Sequence, residues 1–185
     1  LGDAYAVEVG TAAGEELLAN YGDARDATET EVSQKNDLRA SKMKHFADRL
    51  NFDSGELPSL LGDAFDHPHW EELEERCFAC GSCTNVCPTC YCFNVVDEVN
   101  LALTEGERIR HWDSCQLAEF ARVAGGENFR ESRGARQRHR FMRKGKYLYE
   151  KFDALGCVGC GRCIRTCPAS ISILKGFNTI HASLR

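Results

Sequence analysis

The first half of the chain shows apolar residues at intervals that predict one strand and two helices. A short apolar run at residues 5–9 predicts a strand, and residues 12–21 predict a helix for which Thr11 is the N-cap. Residues 31–50 are mostly polar, but their apolar residues recur at loosely helical intervals and predict a second helix. We therefore expect residues 1–68 to contain the end of an upstream domain followed by a helical connector.

Two charged segments follow. Residues 53–76 are strongly acidic, which favours a solvated helical face over the alternative of a docking surface. Arginine and lysine dominate residues 130–151, and Tyr147, Leu148 and Phe152 give this part of the chain an apolar side. A helix is therefore predicted over residues 136–155, although Gly145 weakens it by about 1 kcal/mol relative to alanine.

Composition narrows the class of protein. The 185 residues carry a net charge of −5, and 43% of them are hydrophobic, as in an ordinary globular protein. No apolar run reaches the roughly 18 residues that a membrane helix needs, and neither a signal peptide nor a phosphate-binding loop is visible. The sequence starts at Leu1 without a methionine, so we expect a fragment of a longer subunit.

Eleven cysteines are the most informative feature of the composition. Their odd number and tight spacing fit metal sites in a reducing compartment, such as the cytoplasm, better than disulfides. Eight of them form two copies of the pattern C-x2-C-x2-C-x3-C-P, which is typical of [4Fe–4S] clusters. The first copy contains Cys77, Cys80, Cys83 and Cys87, and the second contains Cys157, Cys160, Cys163 and Cys167.

The spacing also predicts how the two clusters share these ligands. Three cysteines at steps of three let one loop bind three corners of a cluster, whereas the fourth cysteine of each run binds the neighbouring cluster. The first cluster is therefore assigned to Cys77, Cys80, Cys83 and Cys167. The second cluster is assigned to Cys157, Cys160, Cys163 and Cys87. Paired zinc sites are the alternative, but zinc needs neither the third cysteine nor the trailing Cys-Pro.

Three further cysteines, Cys90, Cys92 and Cys115, lie in the long insertion at residues 88–156. They are one ligand short of a third iron–sulfur cluster, whose last ligand would come from His111, Asp113, an upstream segment or a partner. The alternative is that they are buried small side chains, because free cysteine packs readily in protein cores.

The remaining charged groups give no catalytic site. His67, His69, His111 and His139 have no nucleophile–base pairing in the sequence, and no catalytic residue is predicted. The basic segment at residues 130–151 lies in an acidic chain, between metal motifs, and its aromatic residues are not interleaved in the pattern that nucleic-acid binding needs, so nucleic-acid binding is disfavoured. Docking of an acidic partner, or compensation of cluster charge, is the preferred interpretation.

Several of these motifs resemble one family. Residues 76–93, 110–116, 120–130 and 136–141, together with the second cysteine block, are similar to iron–sulfur β subunits of cytosolic nickel–iron sulfhydrogenases. The same family includes an iron–sulfur subunit of anaerobic sulfite reductase. The resemblance implies a cytoplasmic hetero-oligomer in which this subunit links a flavin partner, which handles NAD(P)H, to a catalytic partner such as a hydrogenase.

The expected fold is α+β. It comprises a ferredoxin-like core at residues 69–185 with two [4Fe–4S] clusters, a long helical insertion at residues 88–156 and flanking helices. The predicted function is electron transfer between the flavin partner and the hydrogenase. Alternatives are a relay subunit of anaerobic sulfite reductase and an iron–sulfur redox sensor.

Overall fold

The computed structural model describes residues 4–185, and the chain divides into two compact units, Leu1–Arg49 and Leu50–Arg185. Residues 1–3, at the start of the predicted upstream-domain remnant, lie outside the described residues. The division falls inside the segment for which the sequence predicts a connector. Residues 50–68 belong to the second unit because Leu57, Leu60 and Leu61 are buried in its core.

The first unit contains helices α1 (Ala12–Tyr21) and α2 (Glu29–Lys42), and a 3-10 turn (Met43–His45) follows α2. Thr11 accepts a hydrogen bond from the amide of Gly14 at 3.1 Å, so the predicted first helix and its cap are confirmed. The predicted second helix is also found, but it ends earlier than expected. The predicted strand at residues 5–9 is wrong, because among the described residues no strand pairs with it.

The second unit begins with a 3-10 turn (Ser54–Glu56) and helices α3 (Leu57–Asp63), α4 (His69–Arg76) and α5 (Ser82–Asn85). Helix α4 is amphipathic: Trp70 and Leu73 are buried, whereas Glu71 and Glu75 are exposed. The Trp70 indole donates to the carbonyl of Ala64 at 2.8 Å and so connects α4 to the end of α3. The acidic residues of α4 thus form a solvated face on a helix whose other side enters the core.

A β-hairpin follows the first cysteine block. Strands β1 (Phe93–Val99) and β2 (Gly106–Trp112) pair in antiparallel register, from Phe93 opposite Trp112 to Val99 opposite Gly106. The prediction of a wholly helical insertion is therefore wrong for this part of residues 88–156. β-Branched residues such as Val95 and Val96 favour strands, and a 3-10 turn (Glu119–Ala121) is the only helical turn between β2 and residue 132.

The predicted basic helix is confirmed as three consecutive helical segments. Helix α6 (Arg133–Met142) continues through a π-helical turn (Arg143–Tyr147) into α7 (Leu148–Phe152). Ser132 caps α6 by accepting a hydrogen bond from the amide of Ala135 at 3.0 Å. Gly145 lies in the π turn, and a Cβ atom there would be 2.5 Å from Leu61 Cδ1. Glycine therefore allows the π turn to pack closely against α3.

Helices α8 (Arg162–Arg165) and α9 (Ile173–Leu184) complete the second unit. Helix α9 buries Ile173, Phe177 and Ile180 on one face. Phe177 makes an edge-to-face contact with Phe141 of α6, with ring centroids 5.2 Å apart. The core is thus formed mainly by α3, α4, α6 and α9. None of the helices within residues 4–185 has the length and apolar character needed to span a membrane.

Candidate metal centres

The two cysteine loops have the same backbone conformation. Ala79 and Gly159 occupy equivalent positions with φ values of 53° and 67°, and Gly81 and Gly161 follow with 78° and 71°. Each loop then enters a four-residue helix, α5 in the first block and α8 in the second, and these two helices pack against each other. Positive φ values turn backbone N–H groups toward the inside of such loops. The repeat seen in the sequence is therefore also a structural repeat.

One cavity collects the four cysteines that the sequence assigns to the first cluster. It lies between the first cysteine loop and the segment after α8, and Gln137 and Arg140 of α6 also line it. The cysteines that line it are Cys77, Cys80, Cys83 and Cys167. Cys167 comes from the second block, and the other three come from the first. Within residues 4–185, no three His, Cys, Asp or Glu side chains converge on the position of a single metal ion.

Hydrogen-bond donors point at the sulfur atoms of this cavity. The Ala79 amide lies 3.3 Å from Cys77 Sγ, and the Ile171 amide lies 3.3 Å from Cys167 Sγ. Gln137 adds a side-chain donor, with its Nε2 at 3.0 Å from Cys77 Sγ. Such N–H···S bonds stabilise negative charge on thiolate ligands and help to set the potential of an iron–sulfur cluster.

The second predicted set is partly assembled. Burial raises the pKa of Cys157, and the nearby sulfur atoms of Cys163 and Cys87 raise it further. Burial opposes ionisation of Cys87 too, but hydrogen bonds with Thr89 and the charge of Lys144 outweigh it and lower its pKa to about 7. Cys160, the remaining member, is exposed in its loop. Cys87 does not line the cavity of the first set; its thiol acts on Cys157 of the second block and is also hydrogen-bonded to Cys90.

A second cavity, of about 300 Å³, brings together the three remaining cysteines. Cys90, Cys92 and Cys115 line it, and His139 of α6 lines it as well. Asp113, one of the ligands suggested by the sequence, lies close to Cys92, because its amide donates to the Cys92 carbonyl at 3.0 Å. His111 is exposed on β2 opposite Asn94, and neither His111 nor Asp113 lines the cavity. The sequence shows no nucleophile to pair with His139 and no signal that this histidine lines a cavity with the three cysteines.

The titration behaviour of these groups reflects their close packing. A hydrogen bond between Cys92 and Cys115 lowers the pKa of Cys92 and raises that of Cys115. Burial raises the pKa of Cys90 to about 11 despite the charge of Lys144. Burial, together with the charge of Arg130, lowers the pKa of His139 to about 4. At neutral pH the imidazole is therefore uncharged.

Two buried cations show that anionic groups suit these sites. Arg140 and Lys144 are only 4% and 5% exposed. In the described part of the chain, neither forms an ion pair with a carboxylate: Arg140 donates to Gln137 Oε1 at 3.2 Å, and Lys144 donates to Thr89 Oγ1 at 2.6 Å. A buried charge without a counter-charge is strongly unfavourable. Thiolate-ligated iron–sulfur clusters carry net negative charge and would balance both cations, so the residues present fit such clusters.

These features define an iron–sulfur protein in which two equivalent cysteine loops share one core. Residues 76–171 match the family described as 4Fe-4S dicluster domain, and the chain belongs to this family. Over all 185 residues it is 37% identical to sulfhydrogenase 2 subunit beta of Pyrococcus furiosus, so the resemblance to iron–sulfur β subunits of hydrogenases is confirmed. The chain spans 54% of the length of that relative. No solved structure matches the chain.

Proposed function

We propose that this chain relays single electrons between a partner that binds flavin and NAD(P)H and the catalytic module of a nickel–iron hydrogenase in the cytoplasm. Iron–sulfur clusters supply the one-electron redox chemistry. The first is held by Cys77, Cys80, Cys83 and Cys167. The second is held by Cys157, Cys160, Cys163 and Cys87. A third centre is bound by Cys90, Cys92 and Cys115.

The observation that carries this proposal is the position of Arg140. Its buried guanidinium interacts electrostatically with Cys83, Cys163 and Cys90, and each of these cysteines belongs to a different proposed centre. Arg140 also lines both cavities. Three centres that surround one side chain lie close together, and closely spaced centres are what electron transfer requires. A redox sensor needs only one labile cluster.

The residues around the centres would set the reduction potentials of the clusters. Arg140 and Lys144 stabilise added negative charge, and Gln137 does so through its hydrogen bond to Cys77. Lys144 also connects two sites, because it donates to Thr89 at 2.6 Å while its charge acts on Cys87 and Cys90. The chain itself performs no bond-making chemistry in this proposal.

The test uses the full-length subunit, purified without oxygen together with its partner subunits. NAD(P)H should bleach the visible absorption of the clusters only when the flavin partner is present. Electron paramagnetic resonance of the reduced complex should show magnetic coupling between neighbouring clusters. Uncoupled spectra would contradict the paired arrangement. Clusters that stay oxidised under NAD(P)H, with an active flavin partner, would contradict the relay.

A further inference from the structure

The second cavity contains an unusual selection of side chains. Three thiols and one imidazole line it, from Cys90, Cys92, Cys115 and His139. Within residues 4–185, no carboxylate lines it. Three cations, Arg140, Arg143 and Lys144, line the same space. Four soft or borderline ligands with surrounding positive charge suit an anionic iron–sulfur cluster, which needs four protein ligands.

The backbone fixes the three cysteines at this place. The amide of Cys90 donates to the carbonyl of Cys87 at 3.2 Å, in the turn that follows the first cysteine block. The amide of Asp113 donates to the carbonyl of Cys92 at 3.0 Å and closes the base of the β-hairpin. This bond brings the two ends of the hairpin together, and Cys92 and Cys115 are in contact as a result.

His139 lines the same cavity from helix α6. It lies in α6 one turn before Arg143, so both side chains are on the same face of the helical segment. The imidazole is half-buried, and its ring centroid lies 6.4 Å from that of Tyr147. Among the described histidines, it is the only one that lines this cavity. Helix α6 packs in the core, so the imidazole is placed by a rigid element rather than by a loop.

We propose that His139 provides the fourth ligand, through a ring nitrogen, of a cluster bound by Cys90, Cys92 and Cys115. This inference rests on the third centre of the proposed function and completes its ligand set from within this chain. Imidazole is a suitable ligand for iron. When it replaces a thiolate, the cluster carries one negative charge fewer, and its reduction potential is raised.

The consequence is a difference in potential between the centres. A centre held by Cys90, Cys92, Cys115 and His139 would take up one electron from a neighbouring four-cysteine site and later release one electron, without a bond to substrate being formed or broken. Its histidine ligand and the three nearby cations all favour the reduced state. The electron therefore resides preferentially at this centre, next to the base of the hairpin.

The experiment measures a nitrogen ligand directly. The full-length subunit is produced with ¹⁵N-labelled histidine, purified without oxygen in its complex, and reduced. Pulsed electron paramagnetic resonance should detect a ¹⁵N nucleus strongly coupled to one cluster. This signal should be lost in His139→Cys, in which a thiolate replaces the imidazole, while the iron content stays at roughly 12 atoms per subunit, with four irons for each cluster. The potential of that cluster should shift downward in the same variant.

His111→Ala is the matched control, because His111 is exposed on the hairpin that joins Cys92 to Cys115 but does not line the cavity; the ¹⁵N coupling should remain. Roughly 12 irons without ¹⁵N coupling in the wild-type protein would overturn the histidine ligand but leave the third centre. Roughly eight irons per subunit and two cluster signals, in the wild-type subunit separated from its partners, would overturn the third centre itself, and the inference with it. Coupling that survives in His139→Cys would also overturn the assignment.

Discussion

Gln137 donates a hydrogen bond from Nε2 to the sulfur atom of Cys77 at 3.0 Å, and both side chains are buried. The other end of the same amide, Oε1, accepts a hydrogen bond from Arg140 at 3.2 Å. One side chain thus joins a predicted ligand of the first cluster to the buried cation that the three proposed centres share. The amide and the guanidinium should therefore affect the potentials of the clusters to different extents.

Replacement of Gln137 by leucine should lower the potential of the first cluster more than that of the others. The N–H···S bond stabilises the reduced cluster, and a hydrogen bond contributes about 1 kcal/mol, which corresponds to about 40 mV for a one-electron couple. Redox titration followed by electron paramagnetic resonance measures this change. Gln34→Leu on the exposed surface of α2 is the control and should change nothing. A shift of equal size in every cluster would contradict the local effect.

Removal of the Arg140 charge should lower the potentials of all the clusters together. A unit charge at a separation of roughly 8 Å in a medium with an effective dielectric constant of about 20 contributes about 2 kcal/mol, or roughly 90 mV. The variant is Arg140→Met, and the same redox titration measures the result. A shift confined to one cluster would show that Arg140 does not lie among several centres.

Two control variants separate charge from packing. Arg140→Lys keeps the positive charge and should keep most of the potential of each cluster. Arg138→Met removes a cation from the same helix, but Arg138 stacks on Phe65, 4.1 Å from its ring centroid, on a different side of α6. It should leave the potentials unchanged. If Arg138→Met and Arg140→Met had equal effects, the cause would be the net charge of the subunit.

The fold was predictable where local signals agree with one another. Thr11 and the apolar spacing after it predicted α1 with its observed ends, because the cap and the periodicity mark the same boundaries. The hairpin was missed because every residue of β1 is exposed, so its sequence lacks the alternation of a strand packed on a core. Residues 5–9 show the opposite case: a strand-like run forms no strand without a partner to supply hydrogen bonds.

The cysteines were predictable because their spacing follows the geometry of a cluster. Their surroundings were not, since Gln137, Arg140 and Lys144 come from a helical segment far from the first block in sequence. In a basic stretch, the pattern alone does not show which cations are buried. Only the packing of α6 against α4 and α9 reveals that Arg140 faces the cavities while Arg138 does not.

Addition of one methyl group at Gly176 should destabilise the second unit. A Cβ atom there would lie 2.5 Å from the Phe141 ring, and overpacking of this kind costs about 2 kcal/mol. The thermal midpoint of Gly176→Ala should therefore fall by roughly 4–8 °C, measured by circular dichroism without oxygen. Gly125→Ala is the control, because a Cβ atom at that position would have no neighbour within 4 Å. Its thermal midpoint should equal that of the wild-type protein. An unchanged midpoint for Gly176→Ala would mean that α9 and α6 can move apart freely.

Crossed ligation predicts which single cysteine variants damage the same cluster. Cys167 lines a cavity with Cys77, Cys80 and Cys83, so Cys167→Ser and Cys80→Ser should alter one and the same electron paramagnetic resonance signal. Cys87→Ser and Cys160→Ser should alter the other, because Cys87 does not line this cavity and its thiol acts on Cys157 of the second block.

The comparison needs all four variants in the full-length subunit, each titrated separately. Serine is close in size to cysteine but is a poorer ligand for iron, so each variant should lose or shift one signal and keep the second as an internal reference. Uncrossed ligation gives the opposite pairing, with Cys167→Ser affecting the signal that Cys160→Ser affects. Crossed and uncrossed ligation therefore make mutually exclusive predictions, because they assign Cys167 and Cys87 to opposite clusters.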